Sequence, residues 1–335
     1  MQEPAAANTI ASTTASIAAS SPTTELPAPG TNANGALPLT APTPVASVAS
    51  PPVNAYDNRP PVRPLLDANA VAISRLRTAL LDNPLFDPVR HDELWLLRFL
   101  LSHKKSVTAA AKAARTCLQW RKEHDMDKLA AKMRATPGSR GATSHPVFQY
   151  GHRRHVSPGG MHLLLPDPQR GPILVGDMTK FDYNAAMEKL TREEYTAFAR
   201  IFNEWFFNEC DRVTRETGLL TKSARFVQCR DFSVRALNRD WLKMDGQVSK
   251  EMEDCYPQLL GLILVLDPPQ WALIMWRAVK FLFPARMVEK VDLIPTSARK
   301  ELERRVLRFV SLDDLPETHG GRRKPYDCPV HGPQQ

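Results

Sequence analysis

The chain has 335 residues, 43% of them hydrophobic, and a formal net charge of +8. Its longest apolar runs, such as Leu259–Leu266, are far too short to cross a bilayer, so any membrane contact is expected to be peripheral. Five cysteines, at 117, 210, 229, 255 and 328, form no C-x-x-C pair, which suits free, buried thiols in a reducing compartment.

The first stretch, residues 1–62, reads as a disordered tail. It holds 11 of the 29 prolines and no aromatic residue before Tyr56. Ala, Ser, Thr and Pro dominate, and such a segment cannot bury enough apolar surface to offset its ordering entropy. It has neither the basic start and apolar run of a signal peptide nor an arginine before Arg59, so a cytoplasmic location is expected. Glu3, Glu25, Asp57 and Arg59 give the tail −2, which leaves the rest of the chain at +10. A basic body favours anionic partners, either nucleic acid or acidic membrane.

Residues 63–135 read as a helical bundle. Ile73, Leu76 and Leu80 set helical spacing within Leu65–Leu81. Asp92 is a fitting N-cap for a second helix through LWLLRFLL, and Ser106 for a third whose Ala109, Ala110, Ala113, Cys117 and Trp120 make a close-packing face. Residues 126–160, rich in Gly, His and Arg, read as loops. Short apolar runs then alternate with helical patterns. Strands are expected at Ile173–Val175, Arg225–Asp231, Leu260–Leu266 and Val291–Ile294. Between them Thr191 and Glu194 fit a capping box opening a helix with Tyr195, Phe198, Phe202, Trp205 and Phe206 on one stripe. Helices are also expected over 237–255 and 270–282, with Ser297 capping a last one. This α/β alternation predicts a mostly parallel sheet over 136–325, with a short tail at 326–335.

The segment Trp271–Phe283, WALIMWRAVKFLF, departs from an ordinary surface helix. Its apolar residues run nearly all the way round, and its only charges, Arg277 and Lys280, share one side. Two readings stand: a central core helix, or a mobile lid whose inner face lines a lipid cavity and whose outer face meets membrane.

At this segment the sequence resembles the CRAL-TRIO family, which includes phosphatidylinositol/phosphatidylcholine transfer proteins and tocopherol- and retinal-binding proteins. Four ordered blocks carry the likeness across about residues 65–325. They are Asp92–His124, the strand entry PDPQRGPILVGD, the run CYPQLLGLILVLDPPQWALIMWRAVKFLF, and LPETHGG at Leu315–Gly321. The resemblance implies a helical bundle followed by an α/β domain with an apolar lid helix over a lipid cavity. The implied walls are Trp271, Ile274, Met275, Trp276, Val279, Phe281, Phe283 and Met287, with Phe202 and Trp205. Lys290 matches the lysine that grips the inositol phosphate in some members. Their arginine falls on His103, their glutamate on Gln247 and their threonine on Met287. The pair serving choline lipids falls on Phe226 and Gln228. Asp267 stands where asparagine is usual, and Asp231-Phe232-Ser233-Val234 lacks the usual glycine. Headgroup candidates are therefore Lys290, His103 and Gln247, and the headgroup itself stays open.

The resemblance implies a non-enzymatic lipid carrier, or alternatively a membrane-recruited module that senses lipid without moving it. A monomer is expected, with bound lipid as its ligand, no cofactor and no nucleic-acid partner. Arg277, Lys280, Arg322 and Arg323 are candidates for a transient membrane surface. His145, His152, His155 and His162 cluster in sequence, yet lack a tetrahedral ligand set with cysteine, and no metal is expected. No Walker loop, G-x-S-x-G or H-E-x-x-H motif occurs.

Overall fold

The computed structural model describes residues 57–135, 161–164, 169–180, 183–189, 191–236, 238–252, 255–279 and 288–324. Among the described residues four helices come first: α1 (Val62–Leu80), α2 (Glu93–Ser102), α3 (Val107–Glu123) and α4 (Met126–Ala135). Asp92 caps α2 by accepting from Trp95 N at 3.0 Å, and Ser106 caps α3 by accepting from Ala109 N at 3.3 Å. The spacing argument sets α1 only one turn late. Helix α4 was expected as loop. Its buried Met126, Ala130 and Met133 do recur at helical spacing, but only ten residues long they are hard to tell from a polar connection.

The sheet has five strands in sequential order: β1 (Met161–Leu164), β2 (Ile173–Asp177), β3 (Ser223–Gln228), β4 (Leu260–Leu266) and β5 (Val291–Ile294). Strand β1 pairs antiparallel with β2; β2 through β5 are parallel. The connections hold α5 (Tyr183–Lys189) and α6 (Arg192–Thr217) after β2, α7 (Arg239–Met252) after β3 and α8 (Gln270–Val279) after β4. Right-handed crossovers between strands laid down in one direction must all pass over the same face. The core divides accordingly. Leu174, Val227, Ile263, Val265 and Val291 share an inner face with α6, α7 and α8. Ile173, Val175, Ala224, Phe226, Leu262, Leu264 and Leu266 share the outer face with α9 (Arg299–Val306). The inner core continues into α1–α4, so bundle and sheet are joined through one apolar cluster.

Helix α6 is the longest element, about 39 Å at 1.5 Å per residue. The expected capping box is present: Thr191 Oγ1 accepts from Glu194 N, and Glu194 accepts from Thr191 N at 2.9 Å. Gly218, at φ 68°, stops the helix in a left-handed cap. Three expectations need correcting. Strand β3 ends at Gln228 rather than 231, because Asp231 turns to φ 59°. Helix α9 starts after Ala298, and no side chain caps it, so Ser297 does not play that role. Helix α7 spans 239–252, inside the expected 237–255.

The closing segment folds back against β3. Its second glycine has no freedom to change, since a Cβ at Gly321 would collide with the Leu315 carbonyl. Gly320 sits at φ 84° over Leu302. His319 is buried, and its Nε2 lies 2.9 Å from Gly176 O in β2. The LPETHGG run is thus a strap over the carboxyl ends of the strands.

Candidate functional site

Consider first what the inner face offers a ligand. Helix α6 turns Tyr195, Ala199, Phe202, Trp205 and Phe206 inward, all buried. Phe202 and Phe206 lie 4.4 Å apart, and Trp205 meets Phe206 edge-on at 5.3 Å. Partly buried Ile201, Phe207, Met275 and Leu293 pack against the same inner core. The expected wall residues Phe202 and Trp205 therefore lie in the inner apolar core, to which α8 also contributes.

Helix α8 is two-sided, not uniformly buried. Ala272 and Trp276 are buried and Trp271, Leu273 and Met275 half-buried, while Gln270, Ile274 and Arg277 face outward. Ile274 is 63% exposed, which a central core helix would not allow. The indole of Trp271 donates to Phe232 O at 3.1 Å and packs 6.1 Å from the Phe232 ring. That ties α8 to the loop after β3, where Val234 is also 52% exposed. Val279 ends the described helix; Lys280, Phe281, Phe283 and Met287 lie outside the described residues.

The headgroup candidates separate. Lys290 sits half-buried in the turn before β5, and its carbonyl accepts from Ile263 N at 2.7 Å. His103 ends α2, with Nδ1 2.9 Å from Phe99 O. Its neighbour Ser102 accepts from Gln258 at 3.0 Å, just before β4. The turn holding Lys290 is thus bonded to the middle of β4, and the end of α2 is tied through Ser102 to the segment that enters it. Gln247 lies elsewhere. It shares the outward face of α7 with exposed Lys243 and Lys250, while Trp241, Met244, Asp245 and Val248 turn inward. A further cation, Lys222, enters β3 at the same end of the sheet. Burial lowers its pKa, and the positive charge of Arg98 lowers it further.

Of the membrane-surface candidates, Arg277 is exposed. Arg322 pairs at 2.9 Å with Asp313, both on the surface. Arg323 is half-buried and held by its backbone to Leu315 O and Glu317 N. His145, His152 and His155 lie outside the described residues, and His162 is in β1.

Two polar hubs escaped the sequence reading. Asp267, where asparagine is usual, adopts φ 48°, a region that Asn and Asp both tolerate. Its carboxylate accepts from Thr296 N and Oγ1, Gln228 Nε2 and Arg230 Nη2, tying the ends of β3, β4 and β5 together. Gln228, at the choline-pair position, is thereby held on the outer face. The second hub is Glu204, 1% exposed, which takes both guanidinium nitrogens of Arg121 at 2.9 and 3.0 Å and the Tyr256 hydroxyl at 3.1 Å. Burial works to lower the Arg121 pKa, but the Glu204 charge outweighs it and holds the guanidinium above its usual range. Burial also pushes the Cys210 and Cys229 thiols up to about 12, so neither is a nucleophile at neutral pH.

The CRAL/TRIO domain family profile matches residues 158–321, the stretch holding the sheet, its crossover helices and the strap. This chain belongs to the CRAL-TRIO family. Among curated proteins it is similar to a phosphatidylinositol/phosphatidylcholine transfer protein, SFH9, of Arabidopsis thaliana. The two are 22% identical over 76% of this chain and 41% of that one. It is 24% identical to the SEC14 cytosolic factor of Eremothecium gossypii, over 70% of each. It is 22% identical to Protein real-time of Anopheles gambiae, over 70% of this chain and 32% of that one. The chain thus spans well under half the length of the mosquito and plant relatives. Among solved structures, Sfh5 aligns with a TM-score of 0.47 and 10% identity, over 68% of this chain and 80% of that one. No helix among the described residues is long and apolar enough to cross a membrane.

Proposed function

We propose that this CRAL-TRIO protein binds a lipid, a phospholipid or another hydrophobic ligand, against the inner face of its sheet and exchanges it with membranes without chemical turnover. The observation that carries the reading is the two-sidedness of α8, with Trp276 inward and Ile274 outward. Lifting an acyl chain from a bilayer costs about 0.8 kcal/mol per CH₂, so a carrier must offer an equally apolar replacement and a cover that can meet bilayer. The aromatic layer of α6, the apolar strands β4 and β5, and α8 supply such surfaces. The names of the plant relatives, phosphatidylinositol/phosphatidylcholine transfer proteins, support phospholipid as the ligand class. Exposed Ile274 and Val234, with exposed Arg277 and Arg235, suit a shallow apolar contact beside anionic headgroups. The protein is then a carrier visiting membrane surfaces, with Lys290 as the headgroup cation.

Mass spectrometry of the purified protein should find a co-purifying lipid, and a vesicle-to-vesicle assay should register its transfer. Ile274→Asp should slow transfer severalfold with the fold intact. Retained lipid without transfer would favour a sensor instead, and no bound or transferred lipid of any class would end the reading.

A further inference from the structure

Where α2 and the end of α6 meet the start of β3, packing leaves two cations short of partners. Arg98 of α2 is fully buried. Its Nη2 donates to Thr214 Oγ1 of α6 at 3.1 Å and lies 3.4 Å from Asp211 Oδ1. Its Nε and Nη1 are buried as well, and neither has a hydrogen-bond partner. The Phe207 ring, 5.3 Å from Cζ, returns only part of the hydration that burial removes. Thr214 Oγ1 also accepts from Thr221 N at 3.0 Å, which sets Arg98 beside the residue before Lys222. Lys222 is half-buried, and its stem lies against β4 where Gly261 has no side chain. A Cβ there would stand 3.1 Å from Lys222 Cβ and 3.5 Å from its Cδ. Among the described residues nothing pairs with the Lys222 ammonium, and no carboxylate offsets the lowering of its pKa by burial and by Arg98.

Neighbouring charges are already matched. Asp211 Oδ2 accepts from Arg215 Nε at 2.7 Å, and Arg215 Nη1 donates to Asp92 at 2.7 Å. Arg59, which donates to Thr221 Oγ1, is paired with Asp57. Arg98, Arg215 and Lys222 therefore face only Asp92 and Asp211. The carbonyl end of α6 adds about half a negative charge, which does not complete the balance. A desolvated cation without a counter-charge is costly unless an anion joins it.

We infer that Arg98 and Lys222 together bind a phosphate group, with Lys222 as the part-exposed contact and Arg98 as the buried one. Open guanidinium N–H groups beside an ammonium suit an anion that offers several acceptor oxygens. The site is separate from Lys290. Lys222 enters β3 and Lys290 enters β5, with β4 between them, so their backbones stand at least about 10 Å apart across the sheet. The phosphate can be free in solution or carried on a lipid, and the inference does not depend on where acyl chains lie.

The test uses the full chain at constant ionic strength. Inorganic phosphate is titrated by calorimetry. Vesicles of phosphatidylcholine, alone or mixed with phosphatidic acid, are offered in a co-sedimentation assay. Phosphate should bind the wild type saturably and Lys222→Met about tenfold more weakly, as loss of one hydrogen bond from a charged group predicts, while Lys222→Arg restores binding. Lys290→Ala should keep the wild-type affinity for inorganic phosphate. Phosphate should raise the melting temperature of the wild type and not that of Lys222→Met. Without phosphate Lys222→Met should melt no lower than wild type, whereas a lysine with a purely structural role would lose stability. The Arg98 Nε–H resonance, assigned with Arg98→Lys, should move as phosphate is added. Lys222-dependent binding of inorganic phosphate identifies a free ligand; Lys222-dependent sedimentation with phosphatidic acid alone identifies a lipid-borne one; either upholds the site. No Lys222-dependent binding of either probe, equal loss of inorganic phosphate in Lys222→Met and Lys290→Ala, or an Arg98 resonance that stays fixed would each overturn it. The carrier reading stands or falls separately, on the transfer assay.

Discussion

Removing Arg121 should destabilise the protein more than any surface ion pair could. Arg121 belongs to α3, Glu204 to α6, and Tyr256 lies just before β4, so the three stitch the helical bundle to the sheet. Arg121→Met leaves Glu204, 1% exposed, as a charge whose one remaining partner here is the Tyr256 hydroxyl. Breaking such a buried pair costs about 3–5 kcal/mol, because the stranded carboxylate keeps its desolvation penalty. At roughly 2–4 °C per kcal/mol for a domain of this size, the melting temperature should fall by about 6–20 °C. Arg121→Met/Glu204→Leu should recover most of that loss, since the removed charges no longer need each other. Tyr256 would still lack its acceptor, at about 1 kcal/mol. Urea and thermal unfolding of the two singles and the double make a complete cycle. A cost below about 1 kcal/mol for Arg121→Met, or a double equal to the sum of the singles, would refute the claim that Glu204 depends on Arg121.

Other outcomes follow from the same geometry. His91 is buried and neutral, its Nδ1 accepting from Asp87 N at 2.9 Å, and burial lowers its pKa from 6.5 to about 4. The unfolded chain therefore binds the proton first. Stability should be fully present above pH 6.5 and fall towards pH 4 by up to about 3 kcal/mol, and His91→Gln should flatten that part of a stability–pH curve. Gly321→Ala forces a Cβ into the Leu315 carbonyl, so the strap must shift; a loss of about 2 kcal/mol or more in chemical unfolding is expected, while Gly218→Ala at an open left-handed cap should cost about 1 kcal/mol. Lys290→Ala should weaken transfer of anionic phospholipid between vesicles while the melting temperature stays within about 2 °C of wild type, and unchanged transfer would remove its headgroup role.

Much of the architecture could be read from local pattern. Asp92, Ser106 and the Thr191–Glu194 box mark helix starts because capping needs only residues three apart in the chain. The run Leu260–Leu266 is apolar throughout, as a strand covered on both faces must be, and the structure covers it on both. Short elements were lost, since α4 and α5 offer too few turns for a period to emerge. Asp231 and Asp267 looked like departures from the family pattern. At Asp267 the departure is conservative in backbone terms, because aspartate reaches the left-handed turn that asparagine also reaches.

What tertiary structure alone decided is which side chains meet. Chain order implied a parallel sheet, but which face Arg225 occupies depends on where β3 begins. One residue of slip would send it to the α9 side. Arg121, Glu204 and Tyr256 are 83 and 52 residues apart in sequence, so no local spacing could have signalled their contact. Gln247 stood at the family's glutamate position as a headgroup candidate, yet helical phase turns it away on the outside of α7. Periodicity and capping are properties of neighbouring residues and survive in a string of letters. Facing, burial and charge pairing belong to the packed chain, and the chemistry of the inner face rests on those.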